Sequence, residues 1–165
     1  MTVTDSQSFQ AIFHNTMYPD PATRPREPSR AVRCAHWLAG GLLTVVTLLL
    51  ARLRNDAPSV VITFGALTAI MLLVSPVCHL HYFCLSLPLA MGSLAAVWEG
   101  QGNSLARMGM ITVLIIYAIA NALPHFPALQ LVRDCGLATY ATLLLWLVGM
   151  LILWKRPIPV TVAQD

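Results

Sequence analysis

The sequence predicts an all-α integral membrane protein with about five transmembrane helices, and three observations carry that prediction. The chain is 57% hydrophobic and only 10% charged over 165 residues, outside the range of ordinary soluble domains. Five apolar runs, at residues 37–53, 58–74, 82–98, 108–123 and 136–154, each approach the ~17–25 residues needed to cross a ~30 Å hydrocarbon core. These runs also lack the polar stripe of a helix packed in a soluble core. Only threonine interrupts residues 42–50, and only Thr142 and Gly149 interrupt residues 141–153.

Before the first run, residues 1–34 read as an extracytoplasmic segment without the apolar centre of a signal peptide. Within it, Phe9, Ile12, Phe13 and Met17 recur every three or four residues, which predicts a short interfacial helix over residues 6–18. Asp5 or Ser6 is the expected N-cap. Pro19, Pro21, Pro25 and Pro28 then require an extended connection, because proline and the residue before it resist helical geometry. The five-helix bundle fills residues 35–156. A tight turn at residues 54–58 places Asp56 to cap the helix that opens at Pro58. Gly100 and Gly102 mark the next turn, Pro124 and Pro127 end the fourth span, and residues 128–135 form an amphipathic piece in the interface. Residues 157–165 form a flexible cytoplasmic tail.

The net charge of +3 gives no basis for nucleic-acid binding, since no basic helix is interleaved with aromatics. Charge placement is more informative. Arg24, Arg26, Arg30, Arg33 and Arg133 fall on one membrane face, and Arg52, Arg54, Arg107, Lys155 and Arg156 on the other. Basic residues ordinarily favour the cytoplasmic side, and this division is even. Upstream helices that set the orientation would account for the tie, so the expectation is a chain that forms part of a larger bundle.

The chemistry-bearing segment is Ser75-Pro76-Val77-Cys78-His79-Leu80-His81-Tyr82-Phe83-Cys84, followed by Leu87-Pro88. Ionisable groups at membrane depth are costly, so they tend to line cavities or to act. Helical spacing would place Cys78, His81 and Cys84 on one face. Three readings compete with simple packing: zinc ligation by the two histidines and two thiols, haem ligation by His36, His79, His81 or His125, and a headgroup site binding phosphate or sugar. The zinc spacing fits no standard pattern, and no metal or cofactor is expected. Cys34, Cys78, Cys84 and Cys135 are too scattered for a disulfide framework; a Cys78–Cys84 bridge requires the loop to fold back. Asp5, Asp20, Glu27 and Asp134 read as solvated loop charges, while the arginines at positions 24, 26, 30 and 33 would attract anionic headgroups.

Two of these motifs carry a family resemblance. Ser75-Pro76-Val77-Cys78-His79-Leu80-His81-Tyr82-Phe83 with Leu87-Pro88 resembles the late motif of the family-87 membrane glycosyltransferases, and Ser6-Gln7-Ser8-Phe9 resembles that family's asparagine-glutamine-serine-leucine signature. The resemblance runs from about residue 6 to residue 156. It implies a GT-C-type fold in the bacterial inner (plasma) membrane and a polyprenol-phosphate sugar donor, typically of mannose. The acceptor would be a lipid or glycan. Carried over by position, Ser6, Gln7, Ser8, His79, His81 and Tyr82 would bind substrate. The family's catalytic aspartate lies in an early external loop with no counterpart here, so the base is expected outside this chain, which would be the carboxyl-terminal portion and inactive alone. The alternative is a non-catalytic membrane subunit or a haem-binding bundle.

Overall fold

A computed structural model describes residues 6–20, 22–52, 54–76, 78–99, 104–123, 126 and 136–156, with Leu80 and His81 described in their backbone alone. The expected tail, the interfacial piece at 128–135 and the turn residues 100–103 lie outside this set. Among the described residues the order is α1 (Phe9–Met17), α2 (Arg30–Ala51), α3 (Ala57–Val74), a 3₁₀ segment (Leu80–Ser86) running directly into α4 (Leu87–Glu99), α5 (Ser104–Ala122) and α6 (Leu137–Lys155). Five helices are long and apolar enough to cross a membrane, the third of them, Tyr82–Glu99, taking in most of the 3₁₀ segment. The protein is an all-α, multi-pass membrane protein.

Local chemistry sets the helix ends. Ser8 caps α1 by accepting from the Ala11 N–H, Ser29 caps α2 by accepting from Val32, and Asp56 caps α3 by accepting from Ser59. Two sequence expectations are corrected here. The cap of α1 is Ser8, not Asp5 or Ser6: Ser6 Oγ accepts from the Cys78 N–H instead, and Asp5 lies outside the described residues. Helix α2 opens at Arg30, seven residues before the apolar run begins. Apolar composition marks the bilayer, whereas the cap at Ser29 marks the helix. Inside the spans, threonines other than Thr139 are satisfied without an outside partner. Thr44, Thr63, Thr112 and Thr142 each donate to the carbonyl four residues back at 2.8–3.0 Å, so the hydroxyl is satisfied within its own helix.

Helix α3 sits at the centre, packed against α2, α4 and α6, and α5 lies against α4 and α6. Glycine decides how closely α3 and α4 approach. A Cβ at Gly65 would stand 2.2 Å from the Leu89 backbone nitrogen, and one at Gly92 would stand 2.9 Å from that of Ile62. Membrane helices lack a hydrophobic driving force between them, so close backbone approach through small residues is what holds such a pair. The outward surface is apolar, with Leu38, Leu42, Val45 and Leu49 of α2 and Ile111, Ile115 and Ile119 of α5 all exposed. Exposed aromatics mark the two ends: Trp37, Tyr82 and Tyr140 at one, Trp98 and Trp154 at the other, as in interfacial belts.

The far end is closed by charge. Arg156 pairs with Asp56 at 2.8 Å and with Glu99 at 3.8 Å, while Arg54 donates to the carbonyls of Arg156 and Trp154. Partial burial opposes ionisation of Asp56, but hydrogen bonds from Ser59 and the charge of Arg156 outweigh it and hold the carboxyl below its usual value.

Candidate functional site

The opposite end gathers α1, the start of α2, the end of α3, the 3₁₀ segment and the start of α6. Helix α3 stops at Ser75, which is already extended at ψ 133° and donates its N–H to the Met71 and Leu72 carbonyls. Pro76 disfavours continuation. His79 is likewise extended, and winding resumes only at Leu80 as 3₁₀. Cys78 therefore precedes the helical segment and shares no helix face with His81 or Cys84, contrary to the spacing argument.

Residues 6–8 form a strap laid against this turn. The Gln7 N–H donates to the Cys78 carbonyl at 2.9 Å, and the Cys78 N–H donates to Ser6 Oγ at 3.0 Å. Ser6 Oγ also lies 3.2 Å from Ser8 Oγ, and the Thr139 hydroxyl of α6 donates to the Gln7 carbonyl. Gly136 opens α6 at φ +77°, and a Cβ there would meet Ile12 of α1 at 2.4 Å. Helix α1 is thus docked on the bundle, with Phe9 packed beside Leu72, Leu73, Cys78, Phe83 and Ala138. Its apolar edge faces protein; Met17 alone of the four periodic residues is well exposed.

Strap and turn bring together Ser6, Gln7, Ser8, Cys78, His79 and Tyr82. Ser6, Gln7 and Ser8 are all buried, Gln7 to 1% exposure, and their described bonds tie the strap down. His79 and Tyr82 stand nearer the surface, with ring centroids 5.7 Å apart and Tyr82 39% exposed. The His81 side chain lies outside the described residues, as do His125, Arg133, Asp134 and Cys135. Behind the turn, the Tyr117 hydroxyl of α5 donates to the Phe83 carbonyl at 2.7 Å.

No protein-family model, curated protein or solved structure matches this chain.

The remaining groups have structural tasks. His14 is fully buried, with Nε2 2.9 Å from the Pro25 carbonyl, a contact that requires the proton on Nε2. His36 is 2% exposed and edge-on to Trp37 at 5.2 Å. Asp20 accepts from the Ala22 N–H and the Thr23 hydroxyl, and Arg24 donates to the Tyr18 and Pro19 carbonyls; both serve the loop. Cys34, Cys78 and Cys84 are free. Burial pushes the Cys78 thiol up to about 12, so it stays protonated at neutral pH and is a poor nucleophile. Among the described residues no three His, Cys, Asp or Glu side chains converge. Sequence reasoning did not single out Thr139, Gly136 or Tyr117 for this end; their roles depend on partners 34 or more residues away, for which a single sequence holds no signal.

Proposed function

We propose that this chain is the carboxyl-terminal part of a membrane glycosyltransferase of the GT-C type, seated in a bacterial plasma membrane. It moves a hexose, mannose as the first candidate, from a polyprenol-phosphate donor to a lipid or glycan acceptor. One observation carries the reading. The two segments that resemble the family's motifs are 72 residues apart at Ser6 and Cys78, yet they are hydrogen-bonded to each other at 3.0 Å. Motifs matched independently in sequence thus share one place in the fold.

The chemistry follows from the groups there. An acceptor hydroxyl attacks the anomeric carbon, the bond to the donor phosphate breaks, and the polyprenol phosphate leaves with both electrons. Negative charge gathers on the leaving phosphate, and donors already aimed at developing charge are the strongest help a site offers. In this reading that donor is His79, beside the semi-exposed Tyr82 ring, with His81 following it in the same segment. The strap residues hold that turn in position. The base that deprotonates the acceptor comes from helices outside this chain, which is inactive by itself.

The test uses a complete homologue in membranes with polyprenol-phosphate mannose. His79→Ala and His81→Ala are each expected to lower transfer about a hundredfold, the usual scale for removing one charge-stabilising donor, with folding unchanged. Unaltered turnover in both variants overturns the proposal, and a Soret band in the purified protein turns the reading toward the haem bundle.

A further inference from the structure

We propose that the Tyr117 hydroxyl marks a binding site for one water molecule, shared by α4, α5 and α6 within the membrane. Ser86 belongs to the span Tyr82–Glu99, Tyr117 and Asn121 to Ser104–Ala122, and Thr142 to Leu137–Lys155. The side chains of Ser86, Thr142 and Asn121 surround the Tyr117 hydroxyl, and Ser86 and Thr142 are fully buried. Polar groups gathered from three spans at this depth need partners inside the bundle.

Hydrogen-bond accounting defines what fits. The Tyr117 hydroxyl commits its proton to the Phe83 carbonyl at 2.7 Å, and the Thr142 hydroxyl commits its own to the Ala138 carbonyl at 2.8 Å. Both oxygens keep lone pairs. Asn121 Nδ2 donates to the Tyr117 carbonyl at 2.8 Å, which fixes the orientation of the amide. Its Oδ1 is shielded from solvent and has no hydrogen-bond partner among the described residues. The same holds for Ser86 Oγ, which retains both its proton and its lone pairs. These oxygens are neighbours that do not bond to one another directly, the arrangement that a bridging water satisfies.

The guest must accept from Ser86 and donate to Asn121 Oδ1 and to the Tyr117 or Thr142 oxygen. Water does all three, the usual complement for a buried one. An anion has no use for the acceptor oxygens. A cation offers nothing to the Ser86 proton, and no carboxylate belongs to the cluster to offset its charge at this depth. Helix α5 is the least covered of the five spans, so a water bonded to α4 and α6 reinforces the hold of Tyr117 on the Phe83 carbonyl. The site takes no part in the proposed sugar transfer and stands apart from that reading.

The experiment is a crystal structure of the full chain at a resolution that shows ordered solvent. One density peak is expected about 2.7–3.0 Å from Ser86 Oγ and Asn121 Oδ1, within hydrogen-bond reach of the Tyr117 or Thr142 oxygen. Crystals grown in sodium-free rubidium chloride should keep that peak at the same height and without anomalous signal. The double variant Ser86→Ala, Asn121→Leu should lose it, because a donor and an acceptor are removed and leucine fills the volume of the amide. Ser93→Ala, which removes another buried serine oxygen of α4, should retain it. The wild-type crystals decide the matter even where the double variant does not fold. An absent peak, a direct hydrogen bond from Ser86 to Asn121 or Tyr117, an anomalous rubidium peak, retention in the double variant or loss in Ser93→Ala would each overturn the proposal.

Discussion

The indole Nε1–H of Trp146 donates to Thr47 Oγ1 at 3.0 Å, and that hydroxyl in turn donates to the Leu43 carbonyl at 2.8 Å. Both side chains are buried, so α6 is joined to α2 by a two-step relay inside the bundle. Thr47→Val keeps the shape and leaves the indole N–H unpaired. A double-mutant cycle with Trp146→Phe should give a coupling of about 0.6 kcal/mol, the average for such bonds between membrane helices. Reversible unfolding in mixed micelles measures it; strictly additive losses would remove the relay from the stability account.

Gly65 and Gly41 should respond oppositely to alanine. At Gly65 the added carbon meets the Leu89 backbone at 2.2 Å, and backbone cannot swing aside, whereas at Gly41 nothing lies within 4 Å. Gly65→Ala should cost about 1–3 kcal/mol as α3 and α4 are forced apart. Gly41→Ala should be neutral or stabilising by up to about 1 kcal/mol through helix propensity. Thermal unfolding of the two purified variants checks the difference in sign.

Asp56 predicts an acid limit. Its carboxyl is held below its usual value, so its contribution is complete above the unfolded-state value near pH 4 and is lost as pH falls through the folded value. The Asp56 contribution, read as the difference between wild type and Asp56→Asn, should therefore be flat from about pH 7 to 5 and decline below about pH 4. Asp56→Asn retains a good N-cap but abolishes the pairing with Arg156, and its stability should vary less over the acid range. Melting temperatures at stepped pH measure both.

Thiol labelling separates the cysteines. Cys78 is buried with its thiol pushed up to about 12, while Cys34 is exposed. With Cys84 and Cys135 changed to serine, a maleimide at neutral pH should modify one thiol quickly and the second only after denaturation. Rapid double labelling would mean that the strap lifts from Cys78 on the labelling timescale.

Spans and polar caps were legible because each is written locally. Asp56 before Pro58 announces a helix start, and unbroken apolar runs announce the bilayer. The early start of α2 was masked because residues 30–36 are too polar to count as membrane, although Ser29 caps them. The phase of the Cys78 turn was misread because the chain stays extended at Ser75 and His79 and winding resumes only at Leu80, which leaves Cys78 outside the helical segment. The strap was legible as a motif but not as a docked segment. Its partners, Cys78 and Thr139, lie 72 and 132 residues from Ser6 and Gln7.

The 3₁₀ winding of Leu80–Ser86 also governs reach. Seven residues rise ~14 Å at ~2.0 Å each, against ~10.5 Å for the same residues wound as α-helix. The thirteen residues of α4 add ~20 Å, so the combined rod matches a ~30 Å hydrocarbon layer that α4 alone leaves unspanned. Rewinding those seven residues would shorten the rod by ~3.5 Å and rotate one end against the other by roughly 140°. The winding of this one segment thus sets both the length of the rod and the bearing of its histidine end relative to α4.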